Sequence, residues 1–304
     1  MQQNQASLSA LVVAFARAYH SLYDEPRILN DHLARKLIRD NEFHFIAQNM
    51  AAGIKVFNPD EAHLYPDEQD ALKWVIQTQI APTTIARSTY TEEMLKNAMM
   101  LGIKQYVILG AGYDTFAFRN RDILEKLHVF EVDHPATQED KIKRIRELGW
   151  KIPSSLTFVP VDFTKDHFEQ MLLDAGYNPN EPTFFSWLGV TYYLTREEIV
   201  KVFNAIASMA PKGSSIVFDY PDSDIFDSTK TTTRVQHMVG LAKTAGEPMK
   251  TGYEYRELEA DLEKAGLLIY EHLSPAEIEE RYFTGRTDYY HAFENIHYAL
   301  AVVY

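Results

Sequence analysis

From residue 8 to about residue 101, apolar side chains recur at helical spacing. Leu8, Leu11, Val12, Phe15, Ala16 and Tyr19 fall three or four positions apart, as do Leu33, Leu37, Ile38 and Phe45, and Leu72, Val75, Ile76 and Ile80. That period gathers each set on one helix face. No strand pattern interrupts it, so residues 1–103 are predicted to form a helical cap packed on the rest of the chain. Within it, Thr91 is a candidate N-cap for a helix from Glu92. Arg87 just before it reads either as a surface charge or as a clamp for a carboxylate.

After residue 104 short apolar runs alternate with helical patterns, the signature of a parallel sheet. The runs are Tyr106–Leu109, His128–Asp133, Leu156–Val161, Thr183–Leu188, Ser215–Tyr220, Leu267–Tyr270 and Ile296–Val303. Pro135 opens a helix that runs to about Leu148. Thr195 with Glu198, and Ser274 with Glu277, have the spacing of capping boxes. Tyr255–Ala265 reads as a helix closed by Gly266. The basic run Lys141, Lys143, Arg144 and Arg146 is expected on a solvated helix face. Residues 223–252 are polar without a strand pattern and read as a helical insert or lid. The predicted fold is α/β: a doubly wound, seven-stranded, mostly parallel, Rossmann-like sheet over 104–304, with the helical cap before it.

Composition narrows the partners. The 304 residues are 46% hydrophobic and 24% charged, enough for a real core. A net charge of -13 argues against binding a nucleic-acid backbone. With no cysteine there is no disulfide, thiolate ligand or cysteine nucleophile. The polar start lacks a basic secretion signal, and no apolar run reaches membrane-spanning length. A cytoplasmic protein with no membrane partner is therefore expected. The eleven histidines show no zinc-binding spacing, so no metal is expected.

Candidate chemistry gathers at the carboxyl ends of the strands, where such sheets bind ligands. Gly110-Ala111-Gly112 follows the first strand, and two glycines there let the backbone turn sharply beside a ligand. The next residues could open a helix whose free N–H groups face the same spot. Asp133 ends the second strand and suits a ribose diol; Glu131, two residues back on the same face, is the runner-up. Asp162 ends the third strand, placed to accept from an adenine amino group while Phe163 packs on the ring. The ligand reads as an adenosine, which admits a nicotinamide dinucleotide or S-adenosylmethionine. Thr115 stands where the dinucleotide fingerprint wants a third glycine, and Asp114 beside it would repel a pyrophosphate. Both favour the methyl donor over a dehydrogenase.

These motifs, in this order, resemble the leucine carboxyl methyltransferase family within the class I S-adenosylmethionine-dependent methyltransferases, in particular a bacterial branch similar to tetracenomycin-type polyketide O-methyltransferases. The resemblance rests on Ala86-Arg87-Ser-Thr, Leu109-Gly-Ala-Gly-Tyr-Asp-Thr115 with Arg119, Phe130-Glu-Val-Asp-His-Pro135, Val161-Asp-Phe163, Trp187-Leu-Gly-Val-Thr-Tyr-Tyr-Leu194, and Ser274-Pro-Ala-Glu277 with Arg281-Tyr282. It implies that Arg87 holds the methionine carboxylate and that Gly110 and Gly112 pack under the methionine part, with Ala111 and Asp114 in the same turn. It implies Asp133 on the ribose, with Glu131 nearby, Asp162 and Phe163 on the adenine, and Arg119 bracing the turn. Leu188 stands where many relatives carry Glu, so Ser186 or backbone carbonyls would take over that contact. The implied reaction is O-methylation of a small-molecule carboxylate or hydroxyl. The alternatives are a carboxyl methyltransferase acting on a protein C-terminus and a non-catalytic S-adenosylmethionine-binding protein. Tyr192, Tyr193 and Tyr220 are candidate acceptor contacts, and no general base is assigned.

Overall fold

The structure is a computed structural model and describes residues 6–163, 167–244 and 246–304. Its centre is one sheet of seven strands: β1 (Gln105–Leu109), β2 (His128–Asp133), β3 (Leu156–Pro160), β4 (Thr183–Trp187), β5 (Ser215–Pro221), β6 (Leu267–Leu273) and β7 (Ile296–Val303). They lie side by side in the order β3-β2-β1-β4-β5-β7-β6. The first five run parallel, while β7 inserts antiparallel between β5 and β6. The doubly wound, mostly parallel sheet matches the sequence expectation. The order reverses between β1 and β4, and it is outside the carboxyl ends of strands at such a point that sheets of this kind bind ligands.

Both faces of the sheet are covered, and β1 is buried along its whole length. On one face Tyr106, Ile108, Phe184 and Val217 meet Phe15, Ile85 and Tyr90 from the helices Leu8–Tyr23 and Ala81–Met100. On the other, Val107, Leu109, Phe130 and Phe218 meet Phe203 and Ile206 of the helix Arg196–Met209 and Leu258 and Leu262 of the helix Tyr255–Ala265. The N-terminal helices thus form one outer layer of the sheet. A buried polar cluster ties that layer to the chain's last loop. His20 Nδ1 and Tyr290 Oη both bond Asp24, at 2.8 and 2.6 Å, and Gln77 Nε2 donates to the same carboxylate at 2.6 Å. Among the described residues no helix is long and apolar enough to cross a membrane.

Both capping boxes form. Thr91 does not act as an N-cap. It lies inside the continuous helix Ala81–Met100, and its hydroxyl donates to the carbonyl of Arg87 at 2.8 Å. Bonding back one turn satisfies a threonine within a helix. The basic run is also corrected in part. Lys143 and Arg146 are exposed, but Lys141 and Arg144 are buried. Their helix, Pro135–Glu147, turns them toward buried or half-buried acids, Glu131 for Lys141, and Glu42 and Asp140 for Arg144. In 223–252 a single turn, Ser223–Phe226, precedes the helix Thr233–Thr244. Val235, Met238 and Val239 of that helix rest on the core of the cap face.

Candidate active site

At the carboxyl ends of β1 and β4 the candidate site begins with the glycine turn. Gly110 and Gly112 have φ of +76° and +51°, which side chains rarely adopt. Space is short as well: a Cβ on Gly110 would stand 2.8 Å from Val190, and one on Gly112 would stand 3.1 Å from Ala10. The start of the first helix therefore roofs the turn, and Ser9 ties that roof to Glu247 of the insert at 2.9 Å. The expected helix after the turn is only the single turn Phe116–Arg119. Asp114 is the reason, because its side chain accepts from the N–H of Phe116 at 2.7 Å and caps a tight bend. The N–H groups of Gly110 and Ala111 go to Val132 O, at 2.8 and 3.1 Å, and that of Gly112 goes to Asp133. The turn consequently offers no row of free amides to a pyrophosphate.

Asp133 is half-buried at the end of β2 and also accepts from the N–H of His134 at 2.6 Å. Burial raises its pKa, and the two N–H donors work against that rise. Glu131 sits deeper on the same strand face, paired with Lys141, and burial pushes its pKa up to about 7. It is paired with Lys141 where Asp133 bonds the glycine turn, and the two acids still feel each other, Asp133 helping to raise Glu131 and Lys141 helping to lower Asp133. Asp162 and Phe163 follow β3, both half-buried, and Phe163 lies 6.0 Å from Phe168. Arg119 reaches Glu92, Thr115 and Asp31, at 2.5, 2.9 and 3.3 Å, bracing the turn from below.

Arg87 is buried, which excludes the surface reading, and its Nη1 donates to Asp219 at 2.7 Å. Asp219, fully buried on β5, also accepts from the N–H of Gly189 at 2.7 Å and from the hydroxyl of Tyr192. From the sequence no role was assigned to Asp219, nor to Gly189, which was quoted only within the motif Trp187–Leu194. The signal was slight: an acid near the end of a strand, and a glycine just after another. Tyr193 is half-buried beside Tyr192. Tyr220 is removed from the acceptor candidates. Strand alternation turns it to the opposite sheet face, where its hydroxyl meets His272 at 2.8 Å. Ser186 is buried and bonded to Tyr106 at 2.9 Å, which leaves it facing the core. Leu188 packs against the core of the cap face. Among the described residues, no three histidine or acid side chains are grouped to hold a metal ion.

The signature of the leucine carboxyl methyltransferase family matches residues 10–207. The chain belongs to the leucine carboxyl methyltransferase family. That span includes Arg87, the glycine turn, Asp133, Asp162 and Gly189, while Asp219 lies beyond it. The chain is 50% identical to a protein of Bacillus subtilis (strain 168) over 99% of both chains. It is 30% identical to one of Mycolicibacterium smegmatis over 69% of this chain and 65% of that one. Both carry the name "Putative S-adenosyl-L-methionine-dependent methyltransferase", the first with the addition YktD. Among solved structures, a duf574 family protein from Streptomyces avermitilis shares the fold, with a TM-score of 0.57 over 98% of this chain and 97% of that one at 12% identity.

Proposed function

We propose that this family member is an S-adenosylmethionine-dependent O-methyltransferase whose acceptor is a carboxylate or hydroxyl of a small molecule, polyketide-like or another secondary metabolite, with a carboxylate preferred. S-adenosylmethionine supplies an electrophilic methyl group on a sulfonium. The residues present fit that cofactor. A glycine turn whose amides are committed to β2, with acids around it, suits a cationic nucleoside better than a pyrophosphate. Asp133 keeps lone pairs for a ribose diol after accepting two N–H groups. Asp162 and Phe163 would take the adenine. Arg87 would take the carboxylate of the methionine part through the guanidinium N–H groups that Asp219 leaves open.

The observation that favours a carboxylate acceptor is that Tyr192, the phenol beside Arg87, is buried with its hydroxyl donated to Asp219. Burial, with Asp219 adding to it, lifts Tyr192 well above the ordinary phenol range, and burial lifts Tyr193 too. Both stay protonated near neutral pH, as a tyrosine at its ordinary value also does, so neither serves as a base. A carboxylate is already ionised there and needs none. The protein's task is then alignment of the acceptor oxygen behind the methyl carbon and exclusion of water.

The test is label transfer from methyl-labelled S-adenosylmethionine to a panel of carboxylic acids and phenols. The expected result is an alkali-labile methyl ester, formed at a rate nearly flat between about pH 6 and 8. Transfer to phenols alone, rising about tenfold per pH unit, would overturn the carboxylate preference. Donor binding without transfer to any acceptor would favour the non-catalytic reading, which Leu188 supports as an apolar residue where an acid was expected.

A further inference from the structure

Asp219 bonds four groups on two elements and is closed to solvent. Arg87 comes from the helix Ala81–Met100. Gly189 and Tyr192 come from the segment after β4. Thr191 of that segment donates its hydroxyl to the Asp219 carbonyl at 2.6 Å. The guanidinium in turn rests on Gly189, where an added Cβ would stand 2.5 Å from Nη2 and 2.7 Å from Nη1. Arg87 has five N–H donors, and Asp219 holds the Nη1 end. One carboxylate therefore sets the plane of the guanidinium and ties down the loop beneath it.

We propose that Asp219 is a positioning residue for the methyl donor: it fixes Arg87 so that the open edge of the guanidinium meets the carboxylate of the donor's amino-acid part. Asp219 is fully buried, so it acts through Arg87 and not by contact. Long-stemmed arginines lose rotamer freedom when they bind, and a prefixed fork has lost it already. The proposal rests on the methyl-donor reading of the site.

The experiment titrates wild type, Asp219→Asn, Tyr192→Phe, Arg87→Ala and the Arg87→Ala/Asp219→Asn double variant with two ligands by calorimetry. S-adenosylhomocysteine carries the amino-acid carboxylate; 5′-methylthioadenosine keeps the nucleoside and lacks it. Asp219→Asn is expected to weaken S-adenosylhomocysteine about tenfold or more and to leave 5′-methylthioadenosine within about twofold. Tyr192→Phe, which keeps the ring and removes one donor to Asp219, should shift the same ligand in the same direction by less. In the Arg87→Ala background Asp219→Asn should add less than about twofold. Equal loss of both ligands, or unchanged or tighter S-adenosylhomocysteine binding, overturns the proposal. Should Asp219→Asn fail to fold, Tyr192→Phe decides by the same ligand contrast. Wild-type protein that binds neither ligand overturns the methyl-donor reading itself and this proposal with it.

Discussion

Gly189 and Arg87 are in direct contact, and the contact requires glycine. A Cβ at 189 would stand 2.5–2.9 Å from the guanidinium atoms, and φ there is +69°. The backbone after β4 is thus the floor on which the arginine lies.

Gly189→Ala should displace Arg87 and strain the turn together. We expect a loss of about 1–3 kcal/mol of stability and about tenfold weaker S-adenosylhomocysteine binding. Chemical denaturation and calorimetry measure the two. A variant that binds and melts like wild type would show that the loop relaxes freely.

Arg87→Ala and Asp133→Ala should separate the two ends of the donor. Loss of Arg87 should cost S-adenosylhomocysteine about tenfold to a hundredfold and spare 5′-methylthioadenosine. Loss of Asp133 should cost both ligands by a similar factor, because both carry the ribose. Arg87→Ala also leaves Asp219 buried without its cation, at about 3 kcal/mol.

Glu131 should make stability depend on pH. Its pKa is raised to about 7 in the folded chain, mainly by burial, against an ordinary value of 4.5. Between those values the folded state holds more protons than the unfolded state. Its contribution is present in full below about pH 4.5 and is lost as pH rises through about 7. Glu131→Gln should flatten that fall, which is on the order of 1–3 kcal/mol. Denaturation midpoints at pH 5, 6, 7 and 8 for both proteins check it, and parallel profiles would refute it.

The insert should govern the acceptor and not the donor. Met238 and Val239 hold the helix Thr233–Thr244 on the core, and Lys250 N–H anchors its return to Tyr192 O at 2.7 Å. Met238→Ser with Val239→Ser should raise the acceptor KM several-fold and leave S-adenosylhomocysteine affinity within about twofold. An unchanged acceptor KM would show that the insert is not a lid.

Local pattern sufficed for much of this protein. The period of apolar residues separated the helical region from the strands, and capping boxes and prolines marked helix starts, because those signals act within one turn of chain. The placement of Gly110, Gly112, Asp133 and Asp162 at the ends of β1, β2 and β3 was legible because strand ends can be read from sequence, and ligands in such sheets meet strand ends. Pairings across the chain could not be read. Thr91 was misplaced because its hydroxyl bonds back within a longer helix. Lys141 and Arg144 were taken for solvent-facing because their acids lie on β2 and on the helix Asp40–Ala52. Tyr220 was drawn to the site by sequence proximity, and strand alternation turned it to the opposite sheet face, while Ser186 stays on the cap face with its hydroxyl bonded to Tyr106. Arg87 and Asp219 stand 132 residues apart, and only the packing of a cap helix on β5 brings them to 2.7 Å. The sequence determined the elements and the ends where a ligand can sit; tertiary packing decided which buried charges meet, because a carboxylate's partner is set by the space it is buried in and not by its neighbours along the chain.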